Sequence, residues 1–315
     1  MWRVEDGKQM ATMKAKVVVC LAVSKDRRRI AAGTQRGDVF VWDAKTHRKV
    51  ASHRLAGTIL GVDFSPASPR LVSASCDRTT YVWDITTGKV QTLQHKDEVK
   101  AAKYSPQGDR IATATSDSVR VWDSNDGRLF ATIEVTVTPS RNTGLLWSNN
   151  HLFVVSDSKI QQFEASTGSA VSEWPVPHTM WRSGIALPKH GEFIAYSEPA
   201  QRTVIFWDTA THTRLGIIQH PQYICSIAVS PDDRLLAIGG QGGEITVHTL
   251  YGITVSTPPR WIVVHMDNFL TPITFRRIRS LCHVYTPHSR HQTFRSTTLR
   301  STLGSTMNSQ TRKHC

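Results

Sequence analysis

The sequence predicts an all-β fold assembled from one four-stranded unit that is written several times along 315 residues. Three observations predict it. Tryptophans recur on a lattice, Trp2, Trp42, Trp83 and Trp122, with gaps of 40, 41 and 39 residues. A serine turn recurs about eighteen residues before the lattice positions, at Ser65-Pro66, Ser105-Pro106, Ser230-Pro231 and, as a weaker copy, Ser24-Lys25. Between these markers short apolar runs alternate with polar turns. Self-similarity at such a period is decided by architecture before it is decided by any single residue.

The first strand of each unit is the apolar run before the serine, VVVCLAV, TILGVDF, VKAAKY and YICSIAV. Proline after serine ends it, because proline has no amide to give to a ladder. A second strand follows the turn, and a third ends at the lattice aromatic. The lattice continues through Phe163 and Trp207 to His248. Apolar residues stand one before these aromatics (Val41, Val82, Val121, Phe206, Val247) and three before (Val39, Val119, Ile160, Val204, Ile245). Alternation puts those two positions on one strand face and the aromatic on the other. Both faces are then apolar, as expected where sheets stack. A fourth strand follows the next turn, seen at Lys89 to Leu93 and at Arg128 to Ile133. The clearest unit runs from Leu71 to Lys89.

Four lattice positions carry Trp-Asp: Trp42-Asp43, Trp83-Asp84, Trp122-Asp123 and Trp207-Asp208. With the serine turns and the spacing, these residues resemble the WD40-repeat family over roughly residues 1–255. The resemblance implies a β-propeller in which each period is one blade. It also implies a structural tetrad of histidine, Ser/Thr, turn aspartate and tryptophan. His95, Thr113, Asp117 and Trp122 match that pattern, and Ser73, Asp77 and Trp83 match part of it. His53 sits two residues early and is not assigned. His220 fits the histidine position of the sixth period, where His248 replaces tryptophan and Gly242-Gly243 occupy the turn. Arg36 replaces the turn aspartate of the first period, and the fourth is the most degenerate. Six periods separate Trp2 from His248, and Met1 to Lys8 reads as the end of a preceding unit. The ring is expected to have six blades, or seven with one incomplete.

Function is narrowed mainly by exclusion. No run of eighteen apolar residues exists, which argues against a membrane span. Nothing behind Met1 has the apolar core of a signal peptide, so the expected location is intracellular, cytoplasmic with a nuclear alternative. The five cysteines are scattered without a CxxC pair, which argues against a disulfide framework or zinc site. Cys20 and Cys225, in apolar runs, read as small reduced hydrophobes. The His95, Thr113 and Asp117 grouping reads as structural, since no nucleophile elbow is present. The glycines at 239–243 lack the Lys-Ser/Thr of a phosphate loop, and no HExxH exists. The sequence therefore predicts no catalytic residue, no cofactor and no metal.

The formal charge is +13. From Arg260 onward nine Lys/Arg face one acid, so 256–315 reads as a basic Ser/Thr/Arg/His-rich tail, disordered beyond about Thr286. By resemblance the propeller is a scaffold that binds other proteins or peptides on its faces. The alternatives are a nucleic-acid-associated protein using its basic charge, and a fragment of a larger multidomain WD40 protein. Candidate partner contacts are Arg27, Arg28 and Arg29 in the first serine turn, and Trp174 and Trp181, which fall off the lattice.

Overall fold

Among the described residues six antiparallel sheets follow one another, each a meander whose strands pair in sequence order. This computed structural model describes residues 1, 3–135, 144–156, 158–177, 184–198 and 201–250, all within the unit Met1–His283. Trp2, Trp181 and the expected tail disorder lie outside the described residues.

The first sheet comprises β1 (Val18–Val23), β2 (Arg29–Thr34), β3 (Asp38–Asp43) and β4 (Lys49–Arg54). The second is β5 (Ile59–Phe64), β6 (Arg70–Ser75), β7 (Thr79–Asp84) and β8 (Val90–Gln94). The third is β9 (Ala101–Tyr104), β10 (Arg110–Ala114), β11 (Ser118–Asp123) and β12 (Leu129–Glu134). The fourth is β13 (Gly144–Ser148), β14 (His151–Val155), β15 (Lys159–Glu164) and β16 (Ala170–Pro175). The fifth is β17 (Ile185–Ala186), β18 (Phe193–Glu198), β19 (Thr203–Asp208) and β20 (Arg214–Gln219). The sixth has three strands among the described residues, β21 (Ile224–Val229), β22 (Leu235–Gly240) and β23 (Ile245–Thr249).

These are six blades of a β-propeller. The first strand of each blade packs on the first strand of the next, from β1 on β5 through to β17 on β21. Among the described residues the core divides into five apolar layers, each between consecutive blades. Val39 and Val41 meet Ile59, Val62 and Trp83 across the first, and Val82 and Leu93 meet Tyr104, Ile111 and Trp122 across the second. Val119 and Val121 meet Leu152 and Phe163 across the third. Phe153 and Trp174 meet Ile194 and Tyr196 across the fourth, and Phe206 meets Leu236 and Ile238 across the fifth. The alternation read from the sequence is what feeds these layers: one side of every third strand serves one junction and its lattice aromatic serves the other.

The degenerate fourth period still builds a complete sheet. Phe163 stands at its lattice position 4% exposed, so an aromatic without the indole nitrogen keeps the packing and gives up only the donor. On β1, Leu21 and Val23 are 61% and 60% exposed, unlike the first strands further along, where Ile59 and Ile224 are buried. Cys76 is a free thiol, and Cys20 Sγ lies 3.6 Å from the Ile59 carbonyl oxygen. Cys225 is disulfide-bonded, which corrects its reading as a reduced hydrophobe.

Candidate interaction surface

The turns between strands carry the surface, and a few side chains fix them. The aspartate of each Trp-Asp pair closes the turn into the fourth strand. Asp43 Oδ1 accepts from the amides of Lys45 and Thr46 at 3.0 and 2.7 Å. Asp84 does so from Thr86 and Thr87, Asp123 from Asn125 and Asp126, and Asp208 from Ala210 and Thr211. The residue four after the aspartate then returns its amide to the aspartate carbonyl with φ positive. It is Gly88 and Gly127 in two blades but His47 and His212, both at φ 59°, in two others. Residues 3–8 close the same turn, with Gly7 at φ 67°. The second member of the Trp-Asp signature is thus a turn cap, while Trp42 and Trp83, 5% and 6% exposed, belong to the core.

The serine of the first turn is a second clamp. The Oγ atoms of Ser24, Ser105 and Ser230 accept from the amides of Arg29, Arg110 and Leu235 at 2.9 to 3.1 Å. In blade 1 the two turns are stitched together, because the Ala44 amide donates to the Arg28 carbonyl at 2.8 Å.

The groups expected to form a tetrad are brought together in part. Trp122 Nε1 donates to Thr113 Oγ1 at 2.8 Å, both buried, and the His95 ring meets the indole edge-on at 5.3 Å. Asp117 stands apart: it is exposed, and its carboxylate accepts from the hydroxyls of Thr115 and Ser118. His95 Nε2 lies 3.2 Å from Thr80 Oγ1 of blade 2, and its Nδ1 is buried without a partner. Desolvation, reinforced by the nearby Arg120 charge, pushes the imidazole pKa down to about 4. The arrangement has no activated nucleophile. In blade 2, Asp77 is occupied by the Tyr81 hydroxyl and the Thr79 amide, and Ser73 is buried on β6. His53 on β4 lies 5.7 Å from the Trp83 ring. Counting back from the serine turn missed this contact, since the imidazole crosses to the next blade from within the strand.

The candidate contacts divide. Arg27 and Arg28 are exposed, whereas Arg29 opens β2 half-buried with Nη1 sequestered and unpartnered. Trp174 is 5% exposed and stacks on His212 at 4.3 Å, which corrects its reading as a surface contact. Trp181 lies outside the described residues. A feature the sequence did not signal is an open cleft lined by Arg202, Pro221, Gln222, Tyr223, Gln241 and Gly242 between blades 5 and 6. The Arg202 guanidinium sits 4.9 Å from the centre of the Tyr223 ring, which is 47% exposed. Among the described residues there is no cluster of metal-ligating side chains, and no helix is long and apolar enough to cross a membrane.

Comparison with known proteins agrees with this geometry. A family model described as nucleolar protein 10-like, N-terminal domain, matches residues 3–179. The WD domain, G-beta repeat, matches residues 212–249. Periodic tryptophan protein 2 of Arabidopsis thaliana is 31% identical over 138 residues, covering 42% of this chain and 15% of that protein. Cell division cycle 20.1, cofactor of APC complex, of Arabidopsis thaliana is 27% identical over 195 residues, 57% of this chain and 42% of that protein. Autophagy-related protein 16 of Arabidopsis thaliana is 28% identical over 234 residues, 69% of this chain and 44% of that protein. The chain spans less than half the length of each of these relatives.

Proposed function

The chain belongs to the family of the nucleolar protein 10-like N-terminal domain, and from that premise we propose that it is a non-enzymatic scaffold working in the nucleolus. Its faces hold other proteins in place. The observation that carries the reading is the family match over residues 3–179, together with blades whose buried polar groups serve packing and turn closure.

The cleft at Arg202 and Tyr223 is the protein-contact point this reading favours. Tyrosine and arginine are enriched among the residues that dominate protein interfaces, tyrosine for its large rigid ring with a polar tip and arginine for its planar five-donor guanidinium. Here the cation already holds the ring, so little order is left to be lost on binding. The test is purification of the full chain from its own cells, with localisation by microscopy, for wild type and Tyr223→Ala. Nucleolar signal and a defined set of co-purifying proteins are expected, with at least one lost in the variant at unchanged thermal stability. A protein excluded from the nucleolus that brings down no stoichiometric partner would overturn the proposal.

A further inference from the structure

Charge is distributed unevenly around the blades. Residues 18–54, the first blade, carry nine Lys/Arg against three Asp/Glu, a net of +6. Residues 55–250, the other five, carry sixteen against nineteen, a net of −3. The basic character of the propeller is therefore a property of blade 1.

Within that blade the positive charge gathers on the two stitched turns. Lys25, Arg27, Arg28, Lys45 and Arg48 are all exposed there, and the Ala44 to Arg28 hydrogen bond holds one turn against the other. Among the described residues none of these five cations is in an ion pair. The three acids of the blade are already engaged. Asp26 accepts from the Ser24 hydroxyl and the Arg28 amide. Asp43 caps its turn through two amides and the Thr46 hydroxyl. Asp38 lies 3.5 Å from Arg54. The backbone is pinned as well, with Arg27 and His47 held at φ 61° and 59°. Five cations against Asp26 and Asp43, whose carboxylates stay charged while they accept from backbone amides, leave this rigid platform a net +3 that an anion from outside relieves.

The chemistry of the patch separates two polyanions. An acidic protein segment would be expected to bury an apolar anchor inside its charged rim. Residues 24–28 and 44–48 are Ser, Lys, Asp, Arg, Arg and Ala, Lys, Thr, His, Arg, and the nearest exposed apolar side chains, Val23 and Val50, stand singly on the flanking strands. Nucleic-acid interfaces are instead polar and strongly positive, and contacts to phosphate dominate them. No exposed aromatic stands on the turns for base stacking, which favours a helical backbone over a single strand. We propose that the paired turns of blade 1 are a docking site for the sugar-phosphate backbone of a nucleic-acid double helix. The proposal rests on this charge geometry and does not depend on the protein-scaffold reading.

Binding of the full chain to a 30-base-pair RNA hairpin is measured by fluorescence anisotropy from 50 to 200 mM salt. The wild type is compared with Arg27→Gln/Arg28→Gln/Lys45→Gln/Arg48→Gln and with a control carrying Arg276→Gln/Arg277→Gln/Arg279→Gln/Arg290→Gln. Each phosphate neutralised contributes roughly 0.7–0.9 to the slope of log K against log salt. The blade 1 variant is expected to lose about 3 of that slope and at least tenfold in affinity at 100 mM salt, on the order of one phosphate contact per cation removed. A loss confined to the control variant overturns the proposal. Acetylation of Lys25 and Lys45 gives a local readout, and the hairpin is expected to slow it. Poly-glutamate that protects them better than the hairpin at equal charge would reassign the site to an acidic protein. Thermal melts of each variant separate lost binding from lost fold.

Discussion

Replacing Thr113 by valine removes one oxygen from a fully buried site and keeps the shape. Thr113 is 0% exposed on β10, and its Oγ1 is the acceptor for Trp122 Nε1 at 2.8 Å. The same hydroxyl also reaches the Arg120 carbonyl, at a longer 3.3 Å. In Thr113→Val the indole N–H of Trp122, a residue 7% exposed, stays in its layer with nothing to donate to. A buried donor left unsatisfied costs about 1–3 kcal/mol, and valine gives back a part of this through its better transfer to an apolar site. A net loss of about 2 kcal/mol follows. For a domain of this size that is a drop in Tm of roughly 4–8 °C. Urea unfolding followed by tryptophan fluorescence measures it directly. The companion variant is Trp122→Phe, which removes the donor and keeps an aromatic, as the fourth blade does with Phe163. In the double variant the two losses must fall short of their sum by about 1 kcal/mol, because the orphaned donor no longer exists. A Thr113→Val protein within 0.5 kcal/mol of wild type, or strictly additive losses, would refute the reasoning.

Three further outcomes follow from the turns and from His95. His47→Gly should raise stability by about 0.5–1 kcal/mol in a thermal melt, since an L side chain at φ 59° is strained and His47 makes no ring contact among the described residues. His212→Gly relieves the same strain but loses the stack on Trp174 and the Ser172 hydrogen bond, so it should fail to stabilise. Asp208→Ala should cost about 1–2 kcal/mol by urea titration, because Asp208 is 2% exposed and its carboxylate holds two turn amides. His95 has its folded pKa depressed to about 4 from a model-peptide value of 6.5. The unfolded chain binds the proton more readily over that window, so stability is complete above pH 6.5 and falls as pH drops toward 4. His95→Gln should flatten the stability profile between those values, and an unchanged slope would remove His95 as the sensor.

Much of the fold was legible because its signals are local. Spacing, serine turns and alternation locate the strands, and burial of Val39, Val41, Val119 and Val121 beside the buried tryptophans follows from two-residue periodicity alone. What the sequence did not yield depends on reach across a junction. His53 touches Trp83 from the preceding blade, Trp174 is covered by a histidine of the following one, and Asp117 turns out to solvent although its position in the chain fits the tetrad. The Arg202–Tyr223 pair was invisible for the same reason, its members being 21 residues apart in different turns.

The meander order of the sheets has a consequence for how the molecule comes into being. Every ladder joins strands that are neighbours in the chain, and each apolar layer joins sheets that are neighbours in turn. No pairing among the described strands awaits a distant segment. Low contact order of this kind favours rapid formation, but a lone blade has two apolar faces and no neighbour to bury either. During synthesis, the second side of Val39 and Val41 is covered only once Ile59 and Val62 have left the ribosome. The same dependence then passes from blade to blade. Assembly therefore runs in the direction of translation, each newly emerged sheet serving as the template on which the next one is stabilised.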